Sequence, residues 1–159
     1  EHFGLDLHNP HYVCPLNLHE AHDRLLIRKN REDARAKKEQ DIKEARKYEK
    51  MYKKAKSGFF GIVFGDDKIV ISVVQSVEEM AIEGEEMHHC VFACKYFSKA
   101  KSLILSAKDK DGNRIETIEV NLDTFQVVQS RGVCNKNSAY HDRILKLMED
   151  NMHLIRKAA

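Results

Sequence analysis

The chain has 159 residues, 42% of them hydrophobic, and carries 27 Lys/Arg against 25 Asp/Glu for a formal charge of +2. That length allows one domain with a real core, because a chain of this size hides roughly 70% of the surface its unfolded form exposes. No stretch reaches the ~20 apolar residues that cross a bilayer, so no membrane partner is expected, and the four cysteines, Cys14, Cys90, Cys94 and Cys134, are too few for a disulfide scaffold.

The start, Glu-His-Phe-Gly, has neither an initiating Met nor a basic-then-apolar leader, so the chain reads as a fragment of a longer cytoplasmic protein held in a reducing compartment. His8, His11, Cys14, His19 and His22 follow within fifteen residues. Four imidazoles and a thiol are competent zinc ligands, yet the spacing fits no standard finger, and Pro10 and Pro15 keep the first part extended or turned. A docked N-terminal segment with His22 against the sheet is the simpler reading.

From Glu20 to Lys56 there are 14 Lys/Arg against 8 Asp/Glu and no Gly or Pro. Ala, Glu, Lys and Arg dominate, and pairs such as Asp33–Lys37 and Glu39–Lys43 put the acid four residues before the base, so the segment predicts a long helix. Its apolar residues thin out after Ile27, leaving Ala34, Ile42, Ala45, Tyr48 and Tyr52. That is too sparse for a full core stripe or a coiled coil, so the middle of the helix is expected to face solvent or a partner. Residues 1–56 therefore form an N-terminal segment and 57–159 the core domain.

After Ser57-Gly58 the period changes. "GFFGIVFGDDKIVISVV" predicts two strands joined at Gly65-Asp66-Asp67. Ser76 and Glu79 have the spacing of a capping box, with Glu79 reaching back to the Ser76 amide. A helix from Val77 is expected to bend at Gly84 and resume to about Phe97. "SLILSAK", "RIETIEVNL" and "FQVVQSR" then predict three strands with tight connections at Asp111-Gly112-Asn113 and Asp123-Thr124. Ser138 caps a closing helix that runs towards Lys157, in which His141, Ile144, Leu145, Met148, Met152 and Ile155 share a face. The fold class is thus α+β: an antiparallel sheet of about five strands packed by helices, preceded by a long charged N-terminal helix.

The stretch "GEEMHHCVFACKYF" concentrates chemistry-bearing residues. On a helix resuming after Gly84, Met87, Cys90, Val91 and Cys94 fall on one stripe, which makes the thiols core-facing and inert. A zinc site from Cys90, Cys94 and a histidine lacks a second close pair, so no metal and no cofactor is assigned. His88, His89, Cys90, Glu116 and His141 are the candidate catalytic residues, with histidine as base near neutrality or Cys90 as nucleophile.

Strict alternation places Arg114, Glu116, Ile118 and Val120 on one face of their strand, and Phe125, Val127, Gln129 and Arg131 on one face of the next. Charged residues sharing a face with core residues must be paired or bound to something. If the sheet gathers Arg114, Gln129, Arg131 and Asn135 with the histidines and the amides near Ser138, the result is a polar pocket for a phosphate-bearing ligand. The competing reading is a structural network of Arg114, Glu116, Gln129 and Arg131.

Several of these runs resemble the C-terminal region of the PcfJ-like proteins. The match rests on Glu83-Gly84, Met87 to Val91, Ser102 to Ala107, Arg114 to Glu119, Gln129 to Gly132, Asn135 and His141, with Tyr96 as the following aromatic, and spans roughly Phe59 to Lys157. The resemblance implies an accessory protein of conjugative plasmids and other mobile elements, associated with nucleic acid or with plasmid-transfer proteins, and no particular reaction. Two alternatives stand beside it: an enzyme acting on a nucleotide or other phosphate-bearing substrate, and a purely structural interaction domain.

Overall fold

A computed structural model describes residues 18–159, apart from the side chains of residues 18, 38 and 44. His8, His11 and Cys14 lie outside the described residues. Helix α1 spans Leu18–Lys56. Two compact units divide between Asp41 and Ile42, inside that helix.

In the first unit the helical residues carry short-range pairs, Arg24 with Glu20 and Arg28 with Glu32 at 3.0 Å. His19 and His22 belong to this stretch, and His22 Nδ1 lies 3.3 Å from Asp23 Oδ1 at an exposed position.

The second unit is built on a five-stranded antiparallel sheet in the order β1 (Val63–Gly65), β2 (Ile69–Val73), β3 (Ser102–Asp109), β4 (Arg114–Asn121) and β5 (Gln126–Arg131). Helix α2 (Val77–Glu86) is inserted between β2 and β3, and α3 (His141–Ala158) closes the chain. The turns follow from their acids and glycines. Asp66 Oδ1 accepts from the amides of Lys68 (2.8 Å) and Ile69 (3.0 Å), and Gly65 is required because a Cβ there would sit 2.1 Å from the Ile69 carbonyl oxygen. In the next hairpin Asp109 Oδ1 accepts from Asp111 and Asn113, and Gly112 takes φ +87°.

Each sheet face has its own cover. Ile69, Ile71, Val73, Leu103, Leu105, Ala107, Ile118 and Val120 are buried beneath Ile144, Met148, Met152 and Ile155 of α3. On the opposite face, Val74 and Ile104 pack with Ala45 and Tyr52 of α1, Val77 and Met80 of α2, and Val91 and Phe97. Tyr52 Oη donates to the Val74 carbonyl at 2.6 Å, and burial pushes its phenol pKa up. Two irregularities re-phase the last strands. Ala107 pairs with Glu116 but Lys108 with Arg114, and Glu119 pairs with Gln129 but Val120 with Val127. A one-residue bulge sends every residue beyond it to the other side.

Strict alternation therefore fails at both places. Arg114 turns to the α1 face, where its guanidinium meets Glu83 and Glu86 of α2, while Glu116 stays on the α3 face. Val127 packs in the α3 core, while Gln129 and Arg131 join Thr117 and Glu119 on the α1 face.

Helix α2 also departs from expectation. Ser76 Oγ accepts from Glu79 N at 2.9 Å, but the Glu79 carboxylate takes the Gln75 amide rather than that of Ser76, and Glu49 of α1 takes the Val77 amide. The helix does not resume after Gly84. It ends at Glu86, His88 adopts φ +52° and the chain folds back, with His89 N donating to the Gly84 carbonyl at 2.9 Å. Gly84 serves that close approach, since a Cβ would lie 3.1 Å from the His89 carbonyl oxygen. Met87 and Val91 are buried as the stripe required, but Cys90 and Cys94 are exposed, because the turn that carries them points the thiols away from the core.

Candidate functional site

The α1 face of β4 and β5 holds a cavity of about 350 Å³. Thr117 and Glu119 of β4, Gln129 and Arg131 of β5, and Ile104 of β3 line it from the sheet. The fold-back after α2 supplies His89, Cys90, Val91 and Tyr96, and the loop after β5 supplies Asn135. Two backbone links lock these loops together: Cys134 N donates to the Met87 carbonyl at 3.0 Å, and His89 Nε2 meets the Gly132 carbonyl at 2.6 Å. A carbonyl only accepts, so His89 carries its proton on Nε2. Left-handed φ values at Cys134 (55°) and Asn135 (61°) give the second loop its curl.

Glu119 forms part of the cavity wall and is 8% exposed. Its Oε1 accepts from Ser102 Oγ (2.6 Å) and its Oε2 from Gln129 Nε2 (2.9 Å), and among the described residues no Lys, Arg or His is paired with it. The same Gln129 nitrogen lies 3.3 Å from Tyr96 Oη. Because a carboxylate only accepts, the Gln129 amide must present its NH2 to Glu119, leaving Oε1 as an acceptor. Arg131 is exposed and donates from Nη1 to Asn137 Oδ1 at 2.5 Å.

Two other clusters are occupied by the protein itself. Buried Glu83 accepts from Arg114 Nε (2.5 Å) and Thr117 Oγ1 (2.6 Å), and Arg114 Nη1 reaches Glu86 (2.6 Å). Burial disfavours the Arg114 charge, but the two glutamates outweigh it and raise the pKa. On the α3 face, fully buried Glu116 accepts from Ser130 Oγ (2.5 Å) and Ser138 N (2.9 Å), and lies 3.0 Å from His141 Nδ1. Burial alone would raise the Glu116 pKa; the hydrogen bonds from Ser130, Ser138 and His141 hold it below the usual carboxylate range.

The final helix starts at His141, and Ser138 Oγ accepts from Tyr140 N rather than capping that helix. The amide expected to receive an outside anion is taken by Glu116.

The structure thus gathers His89, Cys90, Gln129, Arg131 and Asn135 around one opening. It sets Arg114 in the α2 network, puts Glu116 and His141 on the far side of the sheet, and leaves His88 exposed on the fold-back. Thr117, Glu119 and Tyr96 are the cavity residues that alternation missed. Cys90 and Cys94 stand in one turn, closed by Cys94 N donating to the Cys90 carbonyl at 2.6 Å. Hydrogen bonding with the Cys90 thiol, followed by burial, raises the Cys94 pKa. Among the described residues no three His, Cys, Asp or Glu side chains cluster as a metal site.

A second feature is electrostatic. Residues 42–56 hold seven Lys/Arg against two Asp/Glu, whereas residues 18–41 hold seven against six. The helix's surplus therefore lies in its last four turns. Lys43, Arg46, Lys47, Lys50, Lys53 and Lys54 are all exposed. At 100° per residue they fall within an arc of roughly 120°. Ala45, Tyr52 and Lys56 are buried on the other side, where Lys56 Nζ donates to the Ala100 carbonyl at 2.5 Å and burial lowers its pKa.

Together these features define an α+β meander with a basic helix and a polar cavity on the same face of the sheet. The sequence matches the family of PcfJ-like proteins over residues 1–145, and the chain belongs to that family. The match takes in the charged helix as well as the sheet. Neither a curated protein nor a solved structure matches the chain. Among the described residues no helix is long and apolar enough to cross a membrane.

Proposed function

We propose that the chain is a nucleic-acid-binding accessory protein of mobile genetic elements, working in the cytoplasm, with the outer face of residues 43–54 as its contact surface. The observation that carries this reading is the run of six exposed cations on one side of a helix whose other side is anchored in the core. Over twelve residues the stripe extends about 16 Å, with a cation every turn or less. Such a surface tracks a phosphate backbone and reads no sequence by itself. Anchoring matters: Ala45 and Tyr52 hold the segment against the sheet, so the cations are presented without the cost of ordering a free arm. The association with mobile elements draws on membership of the PcfJ-like family and on the expectation attached to that resemblance.

The test is a salt titration. Binding to a mixed-sequence duplex is expected to weaken with a slope of log K against log salt near −5, since each phosphate neutralised contributes about −0.9. Replacing Lys43, Lys47, Lys50 and Lys54 with Gln should lower affinity at least tenfold and flatten that slope by roughly 3 to 4. A duplex affinity unaffected by the four substitutions would overturn the assignment. Salt-sensitive binding of an acidic protein in place of any nucleic acid would move the stripe to a transfer-machinery contact.

A further inference from the structure

We infer that the cavity between the sheet and the fold-back is a binding site for a single nucleotide. Its two ends make opposite demands. At the Glu119 end a carboxylate is more than nine-tenths buried with hydrogen bonds from Ser102 and Gln129 but, among the described residues, no cation. A buried carboxylate left without a positive partner is costly, and each of its oxygens has a further lone pair to offer. The Gln129 Oε1, turned away from Glu119 by the same logic, adds an acceptor. That end calls for N–H donors on the ligand.

At the other end Arg131 is exposed, spends one of its five N–H groups on Asn137, and is joined by the amide of Asn135. That end calls for an anion. Ile104, paired with Glu119 from the β3 side, and Val91 of the fold-back contribute apolar wall beside that carboxylate. A molecule with an amino group at one end, a flat ring as its body and a phosphate at the other is a nucleotide. The volume of about 350 Å³ is of the size that encloses one such unit.

The choice of a nucleotide over another small molecule with a donor end and an anionic end rests on the nucleic-acid reading of the helix. The two features share the same side of the sheet. Tyr48 of the basic segment packs on Phe97 at 5.2 Å between ring centroids, and the adjoining Tyr96 lines the cavity with Lys99 Nζ 3.3 Å from its ring centroid. The Glu119 end also sets a preference among bases. Adenine, cytosine and guanine offer an amino group to a carboxylate, whereas uracil offers one N–H flanked by two carbonyl acceptors that repel it.

The test uses the full chain and free nucleoside 5′-monophosphates, with calorimetry for affinity and backbone amide shifts for location. Cytidine, adenosine and guanosine monophosphates are expected to bind at the cavity at least tenfold more tightly than uridine monophosphate or inorganic phosphate. Arg131→Ala should weaken cytidine monophosphate at least tenfold and leave cytidine itself unaffected, and Glu119→Gln should erase the preference over uridine monophosphate. Should Glu119→Gln fail to fold, Gln129→Ala reads the same end. Shifts confined to other surfaces, inorganic phosphate binding as tightly as the nucleotides, or equal affinity for cytidine and uridine monophosphates would overturn the site. A single-stranded trinucleotide distinguishes the source: if Arg131→Ala weakens it as much as the monomer, the nucleotide belongs to a strand; if only the monomer is affected, it is a free metabolite. The salt-dependent duplex assay on the same preparation separates the two ideas. Duplex binding without nucleotide binding removes the cavity and keeps the helix, and the converse removes the helix and keeps the cavity.

Discussion

Glu116 and Glu119 stand three residues apart on one strand, both buried, and they are handled in opposite ways. Glu116 faces α3 and receives a hydroxyl, a backbone amide and an imidazole, all from its own chain. Glu119 faces α1 and receives a hydroxyl and a side-chain amide, with a cavity where a cation would stand. A charge removed from water must be compensated. Where the chain supplies all the partners the cluster holds the fold together; where it stops short and leaves space, a ligand is the natural completion. The two carboxylates of one strand thus divide into a closed structural cluster and an open receptive one.

The sharpest way to break the contrast is on the closed side. His141→Ala takes away one of the three groups that bond buried Glu116, leaving Ser130 and Ser138, and unfolding in urea is expected to show a loss of roughly 3 kcal/mol. The same cluster makes stability acid-sensitive. The Glu116 pKa is lower folded than unfolded, so its contribution is complete above the ordinary glutamate range and disappears as pH falls through the folded value. Asp66 acts in the same direction: the bond from Arg143 and those from the Lys68 and Ile69 amides, opposed by burial, bring it to about 2 from 3.8. Denaturant midpoints measured between pH 6 and pH 2 should therefore fall monotonically. In His141→Ala the part of that decline owed to the imidazole should shrink, and an unchanged profile would show that His141 does not stabilise the ionised Glu116.

The contrast between the faces is only partly legible in the sequence. The five strands, the hairpin positions and most of the apolar face of α3 follow from composition and period, although Leu147 rather than Leu145 packs on the core and Asp109 and Asn121 hold the second and third turns. The concentration of charge after Asp41 could have been counted in the sequence. What alternation could not supply was the bulge opposite Lys108 and the bulge at Val128, since neither is marked by a glycine or proline, and each flips the residues beyond it. Arg114 and Glu116 parted company for that reason, and Thr117 and Glu119 went unnoticed.

The fold-back after Glu86 was hidden differently. Met87 and Val91 are buried at helical spacing, so a turn and a helix offer the same apolar pattern over one turn of chain. The only pointer was Gly84, legible as a weak point in a helix and in fact the landing place for His89.

A smaller effect tests the receptive side. Ser106 pairs across to Thr117 on the α1 face, and its hydroxyl is fully buried with no partner among the described residues. An unpaired buried hydroxyl costs free energy that alanine avoids. Ser106→Ala is expected to stabilise the chain by about 1 kcal/mol, read as a raised urea midpoint at constant m-value. A loss of stability would mean that the hydroxyl is satisfied, by water or by a shifted neighbour, and that this face is as complete as the other.

The smallest expected change in stability is at Glu119 itself. Glu119→Gln keeps an acceptor for Ser102 Oγ at the same position and gives up a charge that has no cation among the described residues. Removing it should shift stability by less than about 1 kcal/mol, because the lost charge-assisted bonds are offset by the relief of burying an ion. His141→Ala and Glu119→Gln then differ several-fold in stability although both alter a buried carboxylate cluster on β4, and chemical denaturation of the two variants in parallel measures the difference. If Glu119→Gln proves as destabilising as His141→Ala, the carboxylate is part of the framework and the cavity beside it is a packing void. If it is close to neutral, the conservation of fold energy across the substitution leaves the charge free to serve whatever enters the cavity.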